Sequence, residues 1–584
     1  MTVDDEPALW ESDVVAADGA TVHVRPIRPD DGERLVAFHE RQSPESIYYR
    51  FFSPRPRLSD AEVRHFTNVD HVAREAFVVL LDGDLIGVAR YDRYRETDEA
   101  EVAFFIDDAH HGRGLAPILL EYLAAAGRTH GIGRFVATVL PTNRKMLAVF
   151  KQAGFDPTTR FADGVIEVSF EVAETGASQA AAEGRATGAE VRTVARLLEP
   201  RTVAVVGAGR RPGTIGHEVL RQLLLHEFTG PVYPVNREAL HVASVPAWPS
   251  VLDVPEHIDL AVVAVPAEDV LAAVEDCARA RVGSVLVVSA GFAEVDEAGL
   301  QRERELVALA RRHGIRVLGP ASLGVVNTDP EVRLHATFAA LEPRPGRVAL
   351  SLQSGTLGVA IVGRATELGL GFSSVVAVGA KVDVSGNDLL AWWEADDRTD
   401  VVVLSLESFG NPRRFRQVAP RVARRKPVVA LVRGSGGDPD LLLGQTGVVG
   451  VDSVDELLDV ARLLAWQPVP AGRRVAVIAD SAGAAEFTQA AGTAAGLLVT
   501  ATALGLGAGP AEYGQAVAAG VANDDVDAVL VVYTAPLAPR PTEVAEAIAA
   551  VAGGGATTVV TSFPGHAVAG RLPLEGERAL PNYE

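Results

Sequence analysis

Apolar residues in the first 170 positions come in short stretches, several of them alternating with polar ones, the period of a strand with one buried face. Val22 to Arg28, Phe135 to Val139 and Val165 to Val172 read as such strands, and Ala76 to Leu81 and Leu85 to Tyr91 flank the turn Asp82-Gly83-Asp84 as a hairpin. Asp30 and Asp31 open a helix to Phe38, Ser59 with Glu62 forms a capping box, and Asn143 to Ala153 reads as a helix closed by Gly154. The densest pattern runs from Glu99 to Leu120. Its strand sets Val102, Phe104 and Ile106 on one face and Glu101, Ala103 and Phe105 on the other. A glycine turn, Gly112-Arg113-Gly114-Leu115-Ala116, leads into a helix expected to begin near Pro117. Residues 15–174 thus form a mixed α+β domain.

After residue 195 the strands become continuous apolar runs between helical stretches, the pattern of parallel sheets covered on both faces. Thr202 to Val206, Val232 to Val235, Leu260 to Val265, Ser284 to Val288 and Arg316 to Leu318 form one series. A second begins at Val348, and a third at Arg474. Between the two kinds of pattern, residues 175–194 begin with TGASQAAAEGRATGAE, small and polar with no period able to bury a face, and read as a linker to which the alanines could give some helix. The domains expected are therefore 15–174, 195–335, 336–470 and 471–584.

At 584 residues, 48% hydrophobic and 22% charged, the chain is a folded multidomain protein. A formal net charge of −22 argues against nucleic acid and anionic membrane as partners. Cys277 is the sole cysteine, which excludes an internal disulfide and a multi-cysteine metal site, and no metal is expected; Cys277 reads as a core residue. No run reaches 18 apolar residues and the N-terminus is acidic, so a cytoplasmic location is expected.

A glycine turn ahead of a helix gathers backbone N–H groups suited to a phosphate or pyrophosphate. His111-x-x-Gly114-x-Ala116 resembles the acetyl-CoA motif of the GNAT acyltransferases, with His111 in place of Gln or Arg; Asn143-x-x-Met146 and Ala153-Gly154-Phe155 fall at the next landmarks of that family. The resemblance implies that Phe104, Phe105 and Ile106 offer backbone to the pantetheine of acetyl-CoA. It implies that His111, Gly112, Arg113, Gly114, Leu115, Ala116 and Pro117 wrap the pyrophosphate, and that Asn143 completes the site. An amine attacks a thioester only when neutral, so a base must take its proton. Ala100-Glu101-Val102-Ala103-Phe104 matches the segment that carries the base in protein lysine acetyltransferases of this family, which makes Glu101 the candidate; Asp98, Glu99, Asp107 and Asp108 are its rivals. Phe150 stands where many members have a tyrosine that protonates the leaving thiolate. Tyr48, Tyr49 and Arg50 read either as the acceptor side or as an aromatic packing segment.

Gly207-x-Gly209-x-x-x-Gly213 is one residue too long for a dinucleotide fingerprint, and Asn236 stands where an NAD enzyme carries an acid. Residues 195–327 instead resemble the CoA-binding domain of succinyl-CoA synthetase and the NDP-forming acyl-CoA synthetases. The resemblance makes Gly207, Gly209 and Gly213 candidates to hold CoA or an acyl-CoA. It continues through Gln353-Ser354-Gly355 and Leu406-Glu407-Ser408. The phosphorylated histidine of that family is replaced by Gln445 in Gly444-Gln445-Thr446-Gly447, and no P-loop or ATP-grasp segment follows before Glu584. The expected architecture is a GNAT domain followed by a Rossmann-like CoA-binding domain and two flavodoxin-like domains of succinyl-CoA-synthetase type. The expected function resembles that of bacterial protein lysine acetyltransferases: acetyl transfer to a metabolic enzyme such as acetyl-CoA synthetase, with the second half as a sensing module or a scaffold. Small-molecule amine acetylation, or a metabolite-binding regulator with an inactive GNAT domain, are the alternatives, and self-association is open.

Overall fold

The computed structural model describes all residues except 1–9, 18–19, 82, 96, 174, 434–438, 537–538, 553–555, 567, 569–570, 575–578 and 584. The acidic N-terminus and Asp82 of the hairpin turn therefore lie outside the described residues. The chain folds as two compact units: residues 1–210 with 233–321 and 382–384, and residues 211–232 with 322–381 and 385–584.

The first unit opens with β1 (Ser12–Val15), β2 (Thr21–Pro26), α1 (Gly32–Glu40), α2 (Pro44–Phe51) and α3 (Asp60–Thr67). β3 (Arg74–Leu81), β4 (Asp84–Arg93), β5 (Glu99–Ile106), α4 (Leu115–Thr129), β6 (Arg134–Val139), α5 (Arg144–Gln152), β7 (Thr158–Ala162) and β8 (Val165–Glu171) follow. The eight strands form one sheet in the order β1-β2-β3-β4-β5-β6-β8-β7. The alternation along β5 holds: Val102, Phe104 and Ile106 pack on the side of α4 and α5, whereas Phe105 packs with Phe38 and Ile47 on the side of α1 to α3.

Residues 175–194 are not an irregular linker. They belong to α6 (Gly176–Leu198), a 23-residue helix whose N-cap Thr175 accepts from the Ser178 N–H. Alanine propensity carries the first turns, and Val194, Leu197 and Leu198 are buried at the far end. Arg192 Nε donates to the Ala17 carbonyl (2.7 Å), and Arg185 donates to the Gln152 carbonyl (2.6 Å), which holds α6 on the GNAT-like sheet.

The next sheet of this unit has strands in the order Val232–Val235, Val203–Val206, Leu260–Val263, Ser284–Val287 and Arg316–Leu318. Leu260–Val263 pairs in parallel with both neighbours. Cys277 is buried on the helix Ala267–Arg279, where burial pushes its thiol up to about 12, so it is a packing residue.

The second unit contains a seven-stranded sheet in which Leu334–Thr337 and Gly324–Asn327 pair antiparallel, and Gly324–Asn327 pairs antiparallel with Phe372–Ala377. The expected boundary at 335 therefore falls inside a strand of the following sheet and moves back to about residue 322. A six-stranded sheet, parallel except for its last pair, completes this unit. No helix among the described residues is long and apolar enough to cross a membrane.

Candidate active site

β5 and β6 run parallel but pair through three residues only, Glu99 with Arg134, Ala100 with Phe135 and Glu101 with Val136. Beyond Glu101 the two strands part, while β5 stays paired with β4 as far as Ile106. The β6-facing backbone of Val102 to Ile106 is thus left without a strand partner. Unpaired backbone beside a gap demands donors and acceptors from elsewhere; an amide-bearing chain such as pantetheine supplies both. Phe104 can offer the gap its backbone alone, because its ring is in the core, edge-on to Phe150 at 6.1 Å. Phe105, expected beside it, turns its backbone to Val88 of β4 and its ring to Phe38 at 5.1 Å, so it does not face the gap.

At the end of β5 the chain turns through Gly112 (φ +79°) and Gly114 (φ +74°), left-handed conformations that favour glycine. Gly114 caps α4, whose helical residues begin at Leu115 rather than at Pro117. The first turn of a helix leaves N–H groups without intrahelical acceptors, and a Cβ added at Gly112 would meet nothing within 4 Å, so an anion has room to approach. Leu115 and Pro117 are buried and Ala116 half-buried, so the turn offers backbone rather than side chains. His111 Nε2 donates to the Ile106 carbonyl (3.1 Å), tying the turn to the strand end. Arg113 Nη1 donates to His110 Nδ1 (2.5 Å), and the Arg113 carbonyl accepts from the Ala17 N–H. Asn143 Oδ1 accepts from the Met146 N–H (3.2 Å): its first duty is to cap α5. The splayed edge and the open glycine turn have the unpaired backbone and the room that a CoA substrate requires.

The five carboxylates differ in what they already hold. Asp107 accepts from the Ala109 N–H and from Arg41, and Asp108 from the Ser43 N–H and the Ser46 hydroxyl. Glu99 meets Arg134 at 3.4 Å, and the Asp98 carboxylate packs over Gly133. Glu101 is exposed, sits at the last paired residue before the gap, and has no hydrogen bond or ion pair among the described residues. Its face of the sheet also carries Arg90 and Asp92 on β4, in register with Ala103 and Glu101. Glu101 and Glu99 add to burial in raising the Tyr94 hydroxyl above its ordinary range. Tyr94 and Arg90 were missed in the sequence; the signal was a charged Arg90 in the apolar run of β4. Of the segment Tyr48 to Arg50, Tyr48 is exposed and Tyr49 donates to Glu45, whereas Arg50 faces a cavity on this side of the sheet. Phe150 is fully buried, with no hydroxyl to offer.

In the CoA-binding-like sheet, Gly207 (φ +92°) is pressed against the Ala264 carbonyl, 2.6 Å from where a Cβ would lie, and Gly209 follows in the same loop. Asn236 Nδ2 donates to the Ala208 carbonyl (2.9 Å) while its Oδ1 accepts from the Glu238 and Ala239 N–H groups, so Asn236 fastens this loop. Gly213 (φ +80°) donates to Glu218 Oε1 (3.0 Å): a carboxylate of its own chain already occupies that N–H. In the second unit, Gln353 Oε1 accepts from the N–H groups of Glu407 and Ser408 and from Lys381 Nζ (3.1 Å). Gln445 is exposed on the helix Pro439–Thr446. Among the described residues no group of three or more His, Cys, Asp or Glu is placed to hold a metal ion.

A strand pair that parts beside a free carboxylate and ends in a glycine-capped helix defines an acyltransferase domain of the GNAT class. Residues 21–156 match the acetyltransferase (GNAT) domain, 201–328 the CoA binding domain, and 345–440 the succinyl-CoA ligase like flavodoxin domain. An acetyltransferase of Pseudomonas aeruginosa is 32% identical over 142 residues, 24% of this chain and 76% of that protein. The GNAT domain of S. lividans PAT is 50% identical, covering 28% of this chain and 98% of that one, with a TM-score of 0.28. The ADP-forming acetate–CoA ligase I of Archaeoglobus fulgidus is 39% identical over 287 residues, 46% of this chain and 41% of the ligase, so the chain spans less than half of that relative. The dinucleotide-forming acetyl-coenzyme A synthetase 1 of Candidatus Korarchaeum cryptofilum, in its apo form, is 31% identical over 64% of this chain and 90% of that one, with a TM-score of 0.61. The chain belongs to the GNAT acetyltransferases, with its GNAT domain fused to an NDP-forming acetyl-CoA synthetase-like region.

Proposed function

We propose that this chain transfers acetyl from acetyl-CoA to the ε-amine of a lysine on a metabolic enzyme such as acetyl-CoA synthetase, through a ternary complex. The observation that carries this is the free Glu101 carboxylate at the residue where β5 and β6 part. A lysine amine has an ordinary pKa of about 10.4 and is protonated near neutrality. Glu101 takes that proton, directly or through one water, and the neutral nitrogen attacks the thioester carbonyl. The carbon–sulfur bond then breaks, and the CoA thiolate takes its proton from solvent, since Phe150 has none to give. Unpaired backbone of Val102 and Phe104 holds the pantetheine, and the turn at Gly112 to Ala116 holds the pyrophosphate.

The synthetase-like region serves as a CoA-metabolite sensor that biases the acetyltransferase. Gln445 in the place of a phosphorylated histidine supports this, because an amide cannot carry a phosphoryl group. The test is an acceptor screen with labelled acetyl-CoA: folded acetyl-CoA synthetase against a panel of small amines, with wild type and Glu101→Gln. Label on the folded protein with wild type alone is the expected result. Label on small amines only would move the function to small-molecule acetylation, and no label with either form would leave a binding regulator.

A further inference from the structure

Between the sheet and α1 to α3 lies a small pocket, about 30 Å³ and open to solvent at its mouth, on the face of β4 and β5 that also carries Glu101. Its wall is aromatic, with Phe38, Phe51, Phe66 and Phe105, and two guanidinium groups, Arg50 and Arg90, border it. The two arginines are differently provided for. Arg90 Nε and Nη2 donate to the Asp92 carboxylate (2.9 and 3.2 Å), and its guanidinium lies 4.9 Å over Phe66. Arg50 has its guanidinium 5.1 Å over Phe51 and makes no hydrogen bond or ion pair among the described residues. Asp92, a carboxylate on the same face, is already bound by Arg74 and Arg90. Burial and the charge of Arg90 both work against the Arg50 cation, pulling it down to about 10, while the charges of Glu101 and Asp92 favour it. It therefore stays charged at neutral pH. An unpaired guanidinium against an apolar wall is costly, and a planar carboxylate offsets that cost through two parallel charge-assisted hydrogen bonds.

We propose that this cavity is an acceptor subsite, in which Arg50 binds an acidic side chain lying within a few residues of the lysine that is acetylated. The proposal rests on the lysine-acetyltransferase reading and adds a sequence requirement to it. With the lysine amine at Glu101, the acceptor chain passes along the same sheet face. The methylene stem of the acidic residue then lies across the aromatic mouth of the pocket while its carboxylate meets Arg50.

The test uses the full-length protein, acetyl-CoA and a set of lysine peptides of one sequence. Each peptide carries a single Asp at a position from three before to three after the lysine, and each has an Asn counterpart. At the favoured position the Asp peptide is expected to exceed its Asn counterpart in kcat/KM by ~10–100-fold, the worth of a hydrogen bond to a charged group. Arg50→Gln brings the two alike, and Arg50→Lys restores part of the ratio. If no position prefers Asp, or if Arg50→Gln preserves the ratio, the subsite is overturned while lysine acetylation stands. If wild type acetylates no peptide and no folded protein but does acetylate small amines, the lysine reading itself fails and the subsite with it. Should Arg50→Gln not fold, free glutarate decides with wild type: competition against the Asp peptide and not against acetyl-CoA is expected, and its absence overturns the subsite.

Discussion

Glu101 is defined as much by its neighbours as by its own position. Asp107 and Asp108 hold the turn to α1 and α2, and Glu99 holds Arg134, which leaves one acid free at the gap. Glu101→Gln keeps the shape and removes the proton acceptor, so kcat is expected to fall by ~10²–10⁴, the worth of a positioned general base. Steady-state kinetics would check this, with KM for acetyl-CoA unchanged because the pantetheine edge is backbone. Glu101 was legible in the sequence because the Ala-Glu-x-Ala-Phe segment is local. The isolation of Arg50 was not, since it depends on Asp92 being engaged from β3 and β4. A second residue-scale expectation concerns His335, stacked 4.0 Å from His226 and donating from Nε2 to the Leu341 carbonyl. Burial, then the nearby His226, lowers His335 from its ordinary 6.5 to about 4. Between those values the unfolded chain binds the proton and the folded one does not, so stability rises with pH through that window and is lost as pH falls from 6.5 to 4. The full shift corresponds to about 3 kcal/mol. Urea unfolding of the second unit at pH 7 and pH 5 would show the loss, and His335→Phe should flatten it.

At the scale of elements, the β5–β6 separation and the α6 helix set the first unit's character. Gly154 closes α5 at φ +78°, and a Cβ there would lie 2.5 Å from the Ala177 carbonyl at the start of α6. Gly154→Ala is therefore expected to cost roughly 2 kcal/mol or more through backbone strain and the clash. Earlier proteolytic cleavage within 175–190 and a lower unfolding midpoint would report it. The sequence hid α6 because its first turns are small residues with no apolar face, while the buried Val194, Leu197 and Leu198 come after the stretch that read as a linker. The hairpin at residues 324–337 was hidden differently. Its strands are four residues long and buried throughout, so they carry no period, and only their pairing with Phe372–Ala377 assigns them to the following sheet.

For the whole molecule, two CoA-related folds share one chain, and the chemistry proposed is confined to one of them. Incubation with ATP, acetate and CoA is expected to yield no acetyl-CoA, because Gln445 cannot be phosphorylated; formation of the thioester would restore a ligase role to the second half. The repeated apolar runs made the parallel sheets of that half legible from the sequence, since buried central strands look alike wherever they occur. The partition of their crossing helices was not legible, because residues 211–232 leave their own strands to join the other unit. The α6 helix, finally, gives the passage between the first two sheets a phase. A flexible tether of 23 residues would absorb an insertion, but one residue added to this helix turns everything beyond it by about 100° and advances it by about 1.5 Å. Insertions there should thus be tolerated by periodicity rather than by length, with seven residues, close to two full turns, disturbing far less than two.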